Sequence, residues 1–350
     1  MTRAYQGLDV ALDFLAPYGP ELASGFTSHA PMVAEALCAL GRPEAVLPWL
    51  ARARADFRPR PARRAALAPA AWRGALGQAE RTADWQALLA DELAGGPWRG
   101  VARRWLVRLA PAACADALHG VIRVGHAVRA LEFEETAPRR RELADALGAW
   151  AAAYQTLPTP ARQEPGALGA EAALARVPLQ PPAERRFAGS IVSALAGLEG
   201  FAPFAPAIDW LEPGADPAAG LSALGRAFTR LYLANAKDPF HSVIFVHGIT
   251  SAAALRSLVP LLAADEAREL VRRVWQAGAA LQASLGHTPP LAGEVEPPRE
   301  DRETLIDLAL ASGDDHAVKC TEACLREHAL SPSPLHLAAA RRAISLHAPS

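Results

Sequence analysis

The sequence predicts an all-α fold, a single compact multi-helix domain, and two observations carry that prediction. Alanine, leucine and arginine dominate the 350 residues, whereas the alternation of apolar and polar residues that marks β-strands is scarce. Apolar residues instead recur at the helical period in many segments. With 51% hydrophobic and 21% charged residues, the chain has the composition of a globular protein that can bury a large core.

Turn and capping residues set the expected bounds of the helices. A helix over Pro31–Leu40 is followed by glycine and proline, which together are a C-terminal signal. A long helix is expected over Pro111–Leu131, because proline suits the first turn of a helix. The other predicted helices, in chain order, are Arg139–Tyr154, Ala218–Ala236, Ser251–Leu262, Asp265–Ser284, Thr304–Ser312 and Asp315–His328.

Proline-rich segments connect these helices. Proline at such density excludes a helix interior. We expect ordered crossovers within one domain spanning residues 1–350, because the histidines discussed below straddle them, with residues 331–350 as a flexible tail. An α-solenoid of helical hairpins is the rival architecture, although no repeat of fixed period is visible. The connectors are Leu157–Gly166, Leu179–Glu184, Phe201–Ala219 and His287–Glu300.

Charge and cysteine content narrow the class of partner and the compartment. The formal net charge of −1 provides no field that would attract nucleic acid or an anionic membrane. The N-terminal residues lack the pattern of a signal peptide, and we identify no apolar stretch suited to crossing a membrane. The four cysteines form no CxxC pair, so we expect reduced, buried thiols and a cytoplasmic protein.

Several of the ten histidines lie in strongly apolar segments, and their spacing predicts which of them share a helical face. His119 and His126 are seven residues apart, close to two helical turns, so both point the same way with Arg123 between them. His316 and Lys319 are three residues apart and also share a face, just inside a helix that an aspartate would cap.

The remaining histidines divide into two groups. His29 precedes the first predicted helix, which Thr27 or Ser28 would cap. His241 and His247 are six residues apart, about 240° of helical rotation, so on a regular helix they cannot both face one centre. The others are expected in loops or the polar tail without a role: His287, His328, His336 and His347.

Buried histidines have a structural and a metal-binding interpretation. A single histidine on an apolar helix is usually a core or surface residue with one hydrogen bond, and none of these spacings matches a short metal motif such as HExxH. Burying an unpartnered imidazole is costly, however, and convergence on one metal ion would satisfy several imidazoles at once. The residues alone leave both interpretations open.

Four segments resemble, in order and approximate spacing, segments typical of the questin oxidase family. They read FTSHAPMVAEALCALG, LHGVIRVGHAVRALE, FVHGITSAAALRSLVPLL and DDHAVKCTEACLRE. The resemblance extends over nearly the whole chain, from about residue 5 to about residue 330. It implies an α-helical, non-haem metal oxygenase that inserts oxygen into, or cleaves, an aromatic or quinone-type substrate in a Baeyer–Villiger-like reaction.

The resemblance also implies a set of metal ligands. His29, His119, His247 and His316 match the family's recurrent pattern, with Lys319 beside the last of them. A protonated lysine cannot bind a metal, but a neutral amine can react with CO₂ to give a carbamate, which is an anionic oxygen ligand. Iron(II) is the expected metal for this ligand set, with zinc and manganese as alternatives.

Other polar and aromatic residues are expected around the metal. His126 and His241 match the family pattern less well and are expected either to support a ligand or to face the substrate, while Arg123 would orient a phenolate or carbonyl oxygen. The further candidates each have an ordinary alternative: an aromatic wall or the core (Phe26, Phe240, Phe245, Trp105), acceptors for a ligand N–H or solvated charges (Asp314, Asp315, Glu322), and a helix cap or hydrogen-bond donors at the site (Thr250, Ser251).

The expected co-substrate is dioxygen, and the expected partner besides a small aromatic substrate is a separate reductase. No glycine-rich fingerprint for a flavin or nicotinamide is present, so NADPH would act through that partner. Two other classes of function are kept as alternatives: a non-catalytic helical scaffold that binds a ligand or a protein, and a metal-dependent hydrolase. The hydrolase would need the strands of a β/α barrel, which the sequence lacks.

Overall fold

The structure, a computed structural model, describes residues 5–161, 166–212, 214 and 216–348. The first half of the chain forms α1 (Leu8–Leu15), α2 (Ala30–Ala39), α3 (Val46–Ala53), α4 (Trp72–Ala75), α5 (Thr82–Ala94), α6 (Trp98–Leu109), α7 (His119–Phe133) and α8 (Ala137–Ala152). The second half forms α9 (Ala170–Ala175), α10 (Ile191–Ala196), α11 (Pro217–Asn235), α12 (Pro239–Leu258), α13 (Ala264–Leu285), α14 (Arg302–Ser312), α15 (Asp315–Leu330) and α16 (Pro334–Leu346). The only strands in the described ranges are the antiparallel pair β1 (Tyr18–Leu22) and β2 (Phe57–Pro59), and the all-α prediction is confirmed.

The predicted bounds agree closely with α2, α8, α11, α13, α14 and α15, but the helix predicted at Ser251–Leu262 begins earlier. It is α12, which starts at Pro239 because the side chain of Asp238 accepts a hydrogen bond from the backbone N–H of His241 at 2.9 Å. Thr250 and Ser251 therefore lie inside the helix and cap nothing. Their hydroxyls donate to backbone carbonyls three or four residues earlier.

The single long helix predicted over Pro111–Leu131 is wrong. Three consecutive residues, Asp116, Ala117 and Leu118, have positive φ angles of 49°, 55° and 69° and interrupt it. The helix that follows, α7, begins only at His119. No glycine marks this turn in the sequence, which is why the helical period appeared continuous.

Residues 331–348 form ordered structure rather than the predicted flexible tail. The side chain of Ser333 caps α16, which buries Leu335, Ala339 and Ala343. Residues 349–350 lie outside the described part, as do residues 162–165, 213 and 215 of the proline-rich connectors. Two of those connectors include short 3₁₀ turns, at Pro182–Glu184 and Ala202–Asp209.

Four helices pack around the point where the candidate ligands meet. Helix α7 packs against α12 and α2, and α15 packs against α12 and α2, so the four helices enclose a common centre. Small residues let α7 and α12 approach closely: a Cβ atom on Gly125 would lie 2.6 Å from the Cβ of Ala254. This close approach brings together residues that are more than 100 positions apart in the chain.

One helix of the described residues has the length and apolar composition of a membrane span. It covers Pro239–Leu261, with α12 as its main part, and 78% of its most apolar window is buried inside the protein. A bent pair, Ile191–Gly200 and Ala202–Asp209, also passes that test when taken together. Burial of this degree is what the central helix of a large core requires.

Gly120, directly after His119, provides a first testable prediction about packing. A Cβ atom at this position would lie 2.3 Å from Cγ of Trp150, a buried side chain whose indole N–H donates to the carbonyl of Ala112 at 2.9 Å. We expect Gly120→Ala to lower the free energy of unfolding by about 1–3 kcal/mol, because the indole must shift in a filled core. Urea denaturation measures this change.

Gly100→Ala is the matched control, since Gly100 is an exposed helical glycine with no atom within 4 Å of the added methyl group. That substitution should leave stability unchanged or raise it by up to about 1 kcal/mol through helix propensity. An equal stability of the two variants would show that the Gly120–Trp150 contact relaxes without cost.

Candidate metal centre

Three imidazole rings meet in the centre of the four helices. Nε2 of His29 lies 2.7 Å from Nε2 of His119, which lies 3.0 Å from Nε2 of His247. All three side chains are buried. They come from the N-cap of α2, the first residue of α7 and the middle of α12, so the helix starts and the close packing of α7 on α12 create the cluster.

The contacts of each Nδ1 atom, on the side of the ring away from the cluster, indicate which nitrogen carries the proton and so whether Nε2 is free to bind a metal. Nδ1 of His119 contacts the backbone carbonyl of Asp116, and Nδ1 of His247 lies 3.3 Å from the carbonyl of Ile244. A carbonyl oxygen only accepts, so Nδ1 carries the proton in both rings. Nδ1 of His29 lies 2.9 Å from Oδ2 of Asp315 but is not aligned to donate a hydrogen bond to it, so this contact does not fix which nitrogen of His29 carries the proton.

With Nδ1 protonated in His119 and His247, the Nε2 lone pairs of these two rings face each other. Lone pairs at 3.0 Å with no proton between them repel, and a cation at their common point turns this repulsion into coordination. Two nitrogens bound at about 2.1 Å and at right angles to one metal lie about 3.0 Å apart, close to the observed separations. The residues therefore fit a metal ion.

Burial keeps two of these rings in the neutral form that binds metals. It lowers the pKa of His29 well below its ordinary value, and the nearby Lys319 lowers it further. Burial also lowers the pKa of His247 strongly, with a further contribution from His119. A neutral imidazole needs no deprotonation before it binds a cation.

His316 is a fourth imidazole beside this group. Its ring centroid lies 4.7 Å from that of His29 and 5.7 Å from that of His247. Nδ1 of His316 lies 2.6 Å from Oδ1 of Asp315, while Nε2 is buried and has no hydrogen-bond partner among the described residues. An orphaned imidazole nitrogen next to three converging ones is an available further ligand.

Asp315 connects two of the candidate ligands through its two carboxylate oxygens. One oxygen contacts His29 and the other contacts His316. Although burial opposes it, the attraction of these two histidines holds the pKa of Asp315 well below its ordinary value, so the side chain is ionised. A carboxylate that orients ligand histidines in this way is a common feature of metal sites. Asp314 accepts from the backbone N–H of Ala317 and caps α15, as predicted.

Lys319, one turn after His316, is an unusual lysine because only 2% of it is exposed. Burial lowers its pKa to about 8, although Asp315 and Asp314 act in the opposite direction. It forms no hydrogen bond or ion pair with any residue in the described ranges. Its side chain lines a small cavity together with His126 and Thr250. A sizeable fraction of this amine is therefore neutral near pH 8.

The turn before His119 has a strained backbone and is stabilised by a hydrogen bond from the segment that precedes α2. Left-handed backbone costs about 1–2 kcal/mol for each non-glycine residue, and Asp116, Ala117 and Leu118 all adopt it. The hydroxyl of Thr27 donates to the carboxylate of Asp116 at 2.6 and 2.7 Å. Thr27 thus links the segment before His29 to the turn before His119, a role that its sequence position did not indicate.

Arg123 lies next to the cluster, one turn after His119. Its Nε and Nη2 form a bidentate ion pair with buried Glu142 at 2.7 and 2.9 Å. Its Nη1 is buried and unpartnered within the described structure. The guanidinium lines a small cavity together with Thr27, Asp116 and His119. This free donor next to the centre is compatible with the predicted role of orienting a substrate oxygen.

His126 lies on the same side of α7 as His119 but in a buried charge network. Its Nδ1 is 2.6 Å from Oε2 of Glu35, and the same carboxylate pairs with Arg129. Arg129 also pairs with Glu322, and among the described residues no candidate metal ligand donates a hydrogen bond to this carboxylate. His126 approaches the centre only through the cavity that it shares with Lys319.

His241 lies outside the centre, as its spacing from His247 predicts. Its Nδ1 is 2.7 Å from Oδ2 of Asp238, and its Nε2 is 2.9 Å from Nε2 of His287 in a partly exposed pair. The expectation that His241 faces the substrate at this centre is therefore not met, because six residues turn a helix to another side.

The predicted aromatic wall does not form. Trp105 packs edge-on against Trp72 and Trp85 in the core, and Phe245 is also buried there. Phe240 is half exposed beside His241. Phe26, 63% exposed and adjacent to Thr27, is the one of these four aromatic residues that lies near the strained turn and faces solvent.

His347 contacts the centre, although the sequence suggested only a polar tail. Its ring stacks on that of His316 with centroids 6.0 Å apart and planes inclined by 21°. No local signal predicts this contact, because it depends on how α16 packs against α15 and α11.

Fold and site define a class: an all-helical protein with a buried polyhistidine cluster suited to a metal. The comparison with known families identifies it more closely. The questin oxidase-like family matches residues 26–324, and the chain belongs to this family. All candidate ligands from His29 to Lys319 lie within the matched residues. Membership supports an oxidoreductase of the oxygenase type that acts on aromatic polyketides. The comparison with curated proteins finds no match.

Proposed function

We propose that the protein is a metal-dependent oxygenase, with iron(II) as its metal, that inserts oxygen into or cleaves an aromatic or quinone-type substrate. One observation carries the proposal: three buried Nε2 atoms converge, with those of His29 and His247 within 2.7–3.0 Å of that of His119, and those of His119 and His247 face each other as lone pairs. Such an arrangement is unfavourable unless a cation lies at their common point. Family membership supports the oxygenase class.

The ligands we propose are His29, His119, His247 and His316, with Lys319 as a carbamate. When bound, a redox-active metal such as iron supplies the electron transfer to dioxygen that no side chain here can provide. Asp315 holds the rings of His29 and His316, and the carbonyls of Asp116 and Ile244 fix the proton of the other two on Nδ1.

The carbamate forms by addition of CO₂ to the neutral amine of Lys319. The nitrogen lone pair attacks the carbon of CO₂, and the nitrogen then loses a proton to give N–COO⁻. Burial favours the neutral amine, and the adjacent cavity has room for about one water-sized molecule. A protonated Lys319 would repel a metal ion. The carbamate instead provides an anionic oxygen atom that can bind it.

The substrate is proposed to bind at the open side of the centre. The cavities next to the imidazoles each hold about one water molecule, so a ring system does not fit inside them. Asp116 and Asp315 are 33% and 26% exposed, which makes their side the accessible one. Phe26 provides an aromatic face there, and Nη1 of Arg123 provides a donor to a phenolate or carbonyl oxygen.

Insertion of one oxygen atom of dioxygen leaves the second atom to be reduced to water. That reduction requires two electrons and two protons from outside the chain. We propose a separate reductase that uses NADPH as the partner that delivers them. Cleavage with incorporation of both oxygen atoms would need no such partner.

Metal analysis combined with oxygen uptake tests the proposal. Protein purified without added metal, then loaded anaerobically with Fe(II), is expected to bind about one iron per chain. With a chemical electron donor in place of the reductase, it should consume dioxygen when hydroxylated anthraquinones are added as probes. The metal-free protein in the presence of the same quinones is the control. Protein that binds no metal under any loading condition would favour the alternative, a non-catalytic helical scaffold.

A further inference from the structure

The turn after α16 carries a histidine that the proposed function has not used. His347 is the residue directly after the last helix, and its side chain is only 6% exposed. Nδ1 of His347 lies 3.3 Å from Oδ2 of Asp314, and Nε2 lies 3.1 Å from the hydroxyl of Ser242. Its ring is nearly parallel to that of His316. These three contacts together fix the position of the His347 side chain.

We propose that His347 is a positioning residue that holds the His316 ring in the orientation needed for metal binding. This inference rests on the proposed function, because it assigns His316 to the metal. His347 itself contacts none of the three converging Nε2 atoms and acts through its neighbour. Residue 347 also lies beyond residue 324, where the family match ends.

The first step of the argument concerns what restrains His316. On one side its Nδ1 contacts Asp315, and its Nε2 has no partner among the described residues. Asp315 therefore restrains one side of the ring, and packing limits its remaining rotation. The nearly parallel ring of His347 lies over one face of this imidazole and limits its rotation, while the rings of His29 and His247 lie 4.7 and 5.7 Å away, measured between centroids.

The second step concerns the two helices that His347 joins. Asp314 is the N-cap of α15, the helix that carries His316, and Ser242 lies on α12, the helix that carries His247. The hydroxyl of Ser242 is buried and lies 2.8 Å from the hydroxyl of Tyr232 on α11. His347 thus connects the ends of two helices that each contribute a ligand, and its anchor is inside the core.

The third step concerns how His347 reaches this position. Helix α16 is capped by Ser333 and packs along α15 and α11. Its last turn therefore ends at a fixed place beside the start of α15. Removing a group that orients a ligand histidine typically lowers metal affinity about 10–100-fold. We expect the removal of the His347 ring to have an effect of about that size.

Cobalt(II) titration of three variants tests the inference. Co(II) binds nitrogen ligands more tightly than Fe(II), is stable in the divalent state and gives visible absorption that reports ligand geometry. His347→Ala is expected to raise the dissociation constant for Co(II) by about 10–100-fold and to change the absorption spectrum. His347→Gln keeps a side chain that can reach Asp314 and Ser242 but has no ring, so it should recover affinity only in part.

His328→Ala is the matched control. It removes another histidine from the same region, about 18 Å further along α15 from His316, whose hydrogen bonds within the described residues are with the backbone of Ser333. Thermal unfolding of the metal-free variants shows whether each is folded. The expected result is wild-type Co(II) affinity in His328→Ala and weakened affinity in His347→Ala at similar melting temperatures.

Three outcomes contradict the inference, and they differ. In the first, the wild-type protein and His347→Ala bind Co(II) with equal affinity and the same spectrum. The metal site then exists, but His347 has no positioning role. Wild-type protein that binds no Co(II) overturns the proposed function itself, and the inference with it. A loss of affinity that accompanies an equal loss in His328→Ala would show a general effect of the C-terminal region, which also contradicts a specific role.

Discussion

Replacing His247 by alanine is expected to reduce metal affinity on the order of 100-fold or more. The ring is buried in the middle of α12, and its Nε2 lies 3.0 Å from that of His119. The neighbouring residues of α12 offer no second imidazole or carboxylate, since the polar ones one turn later, Thr250 and Ser251, donate their hydroxyls to backbone carbonyls. Anaerobic titration with Fe(II) or Co(II), followed by metal analysis after gel filtration, measures the change.

His241→Ala is the control for this prediction, because it removes a histidine from the same helix six residues earlier. That ring pairs with Asp238 and His287 on another side of α12. Its loss should leave metal content unchanged. If instead both variants kept the wild-type stoichiometry and affinity, the convergence of the three Nε2 atoms would have to be a feature of a metal-free core.

The location of the cluster follows from features that the sequence carries only partly. Helical period and capping residues were sufficient for α2, α8, α11 and α13 to α15, because each is a regular helical segment whose start or end is marked by a capping or turn residue. The turn at Asp116–Leu118 gave no such signal, since left-handed residues are usually recognised by glycine or asparagine. Tertiary contacts hold it instead, among them the hydroxyl of Thr27.

The candidate ligands were predicted from four short motifs, and the structure brings their imidazoles together. Their mutual distances could not be predicted, because they depend on the approach of α7 to α12 at Gly125 and Ala254. The spacing argument did exclude His241 from a centre that contains His247, which is a purely local consequence of helix geometry. Metal binding by these residues stays a prediction.

Residues that support the centre were harder to predict than the ligands. His347 and Thr27 act through contacts between segments that are distant in the chain, and their own surroundings in sequence are ordinary. For Glu322 the sequence predicted a contact that the structure replaces with another. Glu322 lies one turn from Lys319 and was expected to accept a hydrogen bond from a ligand, but it forms an ion pair with Arg129 of α7. A buried charge pairs with the nearest opposite charge, and that partner is set by the fold.

Lys319→Arg is expected to lower metal affinity on the order of 100-fold and to remove its dependence on CO₂. Arginine keeps a positive charge at this buried position but cannot form a carbamate, so the centre loses an anionic oxygen ligand and gains a permanent repulsive cation. In the wild-type protein, bicarbonate added to CO₂-depleted buffer should raise the affinity for Fe(II) or Co(II). Equilibrium titration with and without bicarbonate measures both effects.

The composition of the chain makes the carbamate directly observable. Only two lysines are present, and the other, Lys237, is exposed outside the centre. With ¹³C-labelled bicarbonate, the wild-type protein and Lys237→Arg should each show a carbamate carbon signal by NMR, and Lys319→Arg should show none. Arg129 neutralises Glu35 and Glu322 beside the Lys319 cavity, so only Asp315 and Asp314 oppose the neutral amine. A carbamate signal that survives Lys319→Arg, or full affinity without CO₂, would therefore remove Lys319 from the ligands and leave a centre built from imidazoles alone.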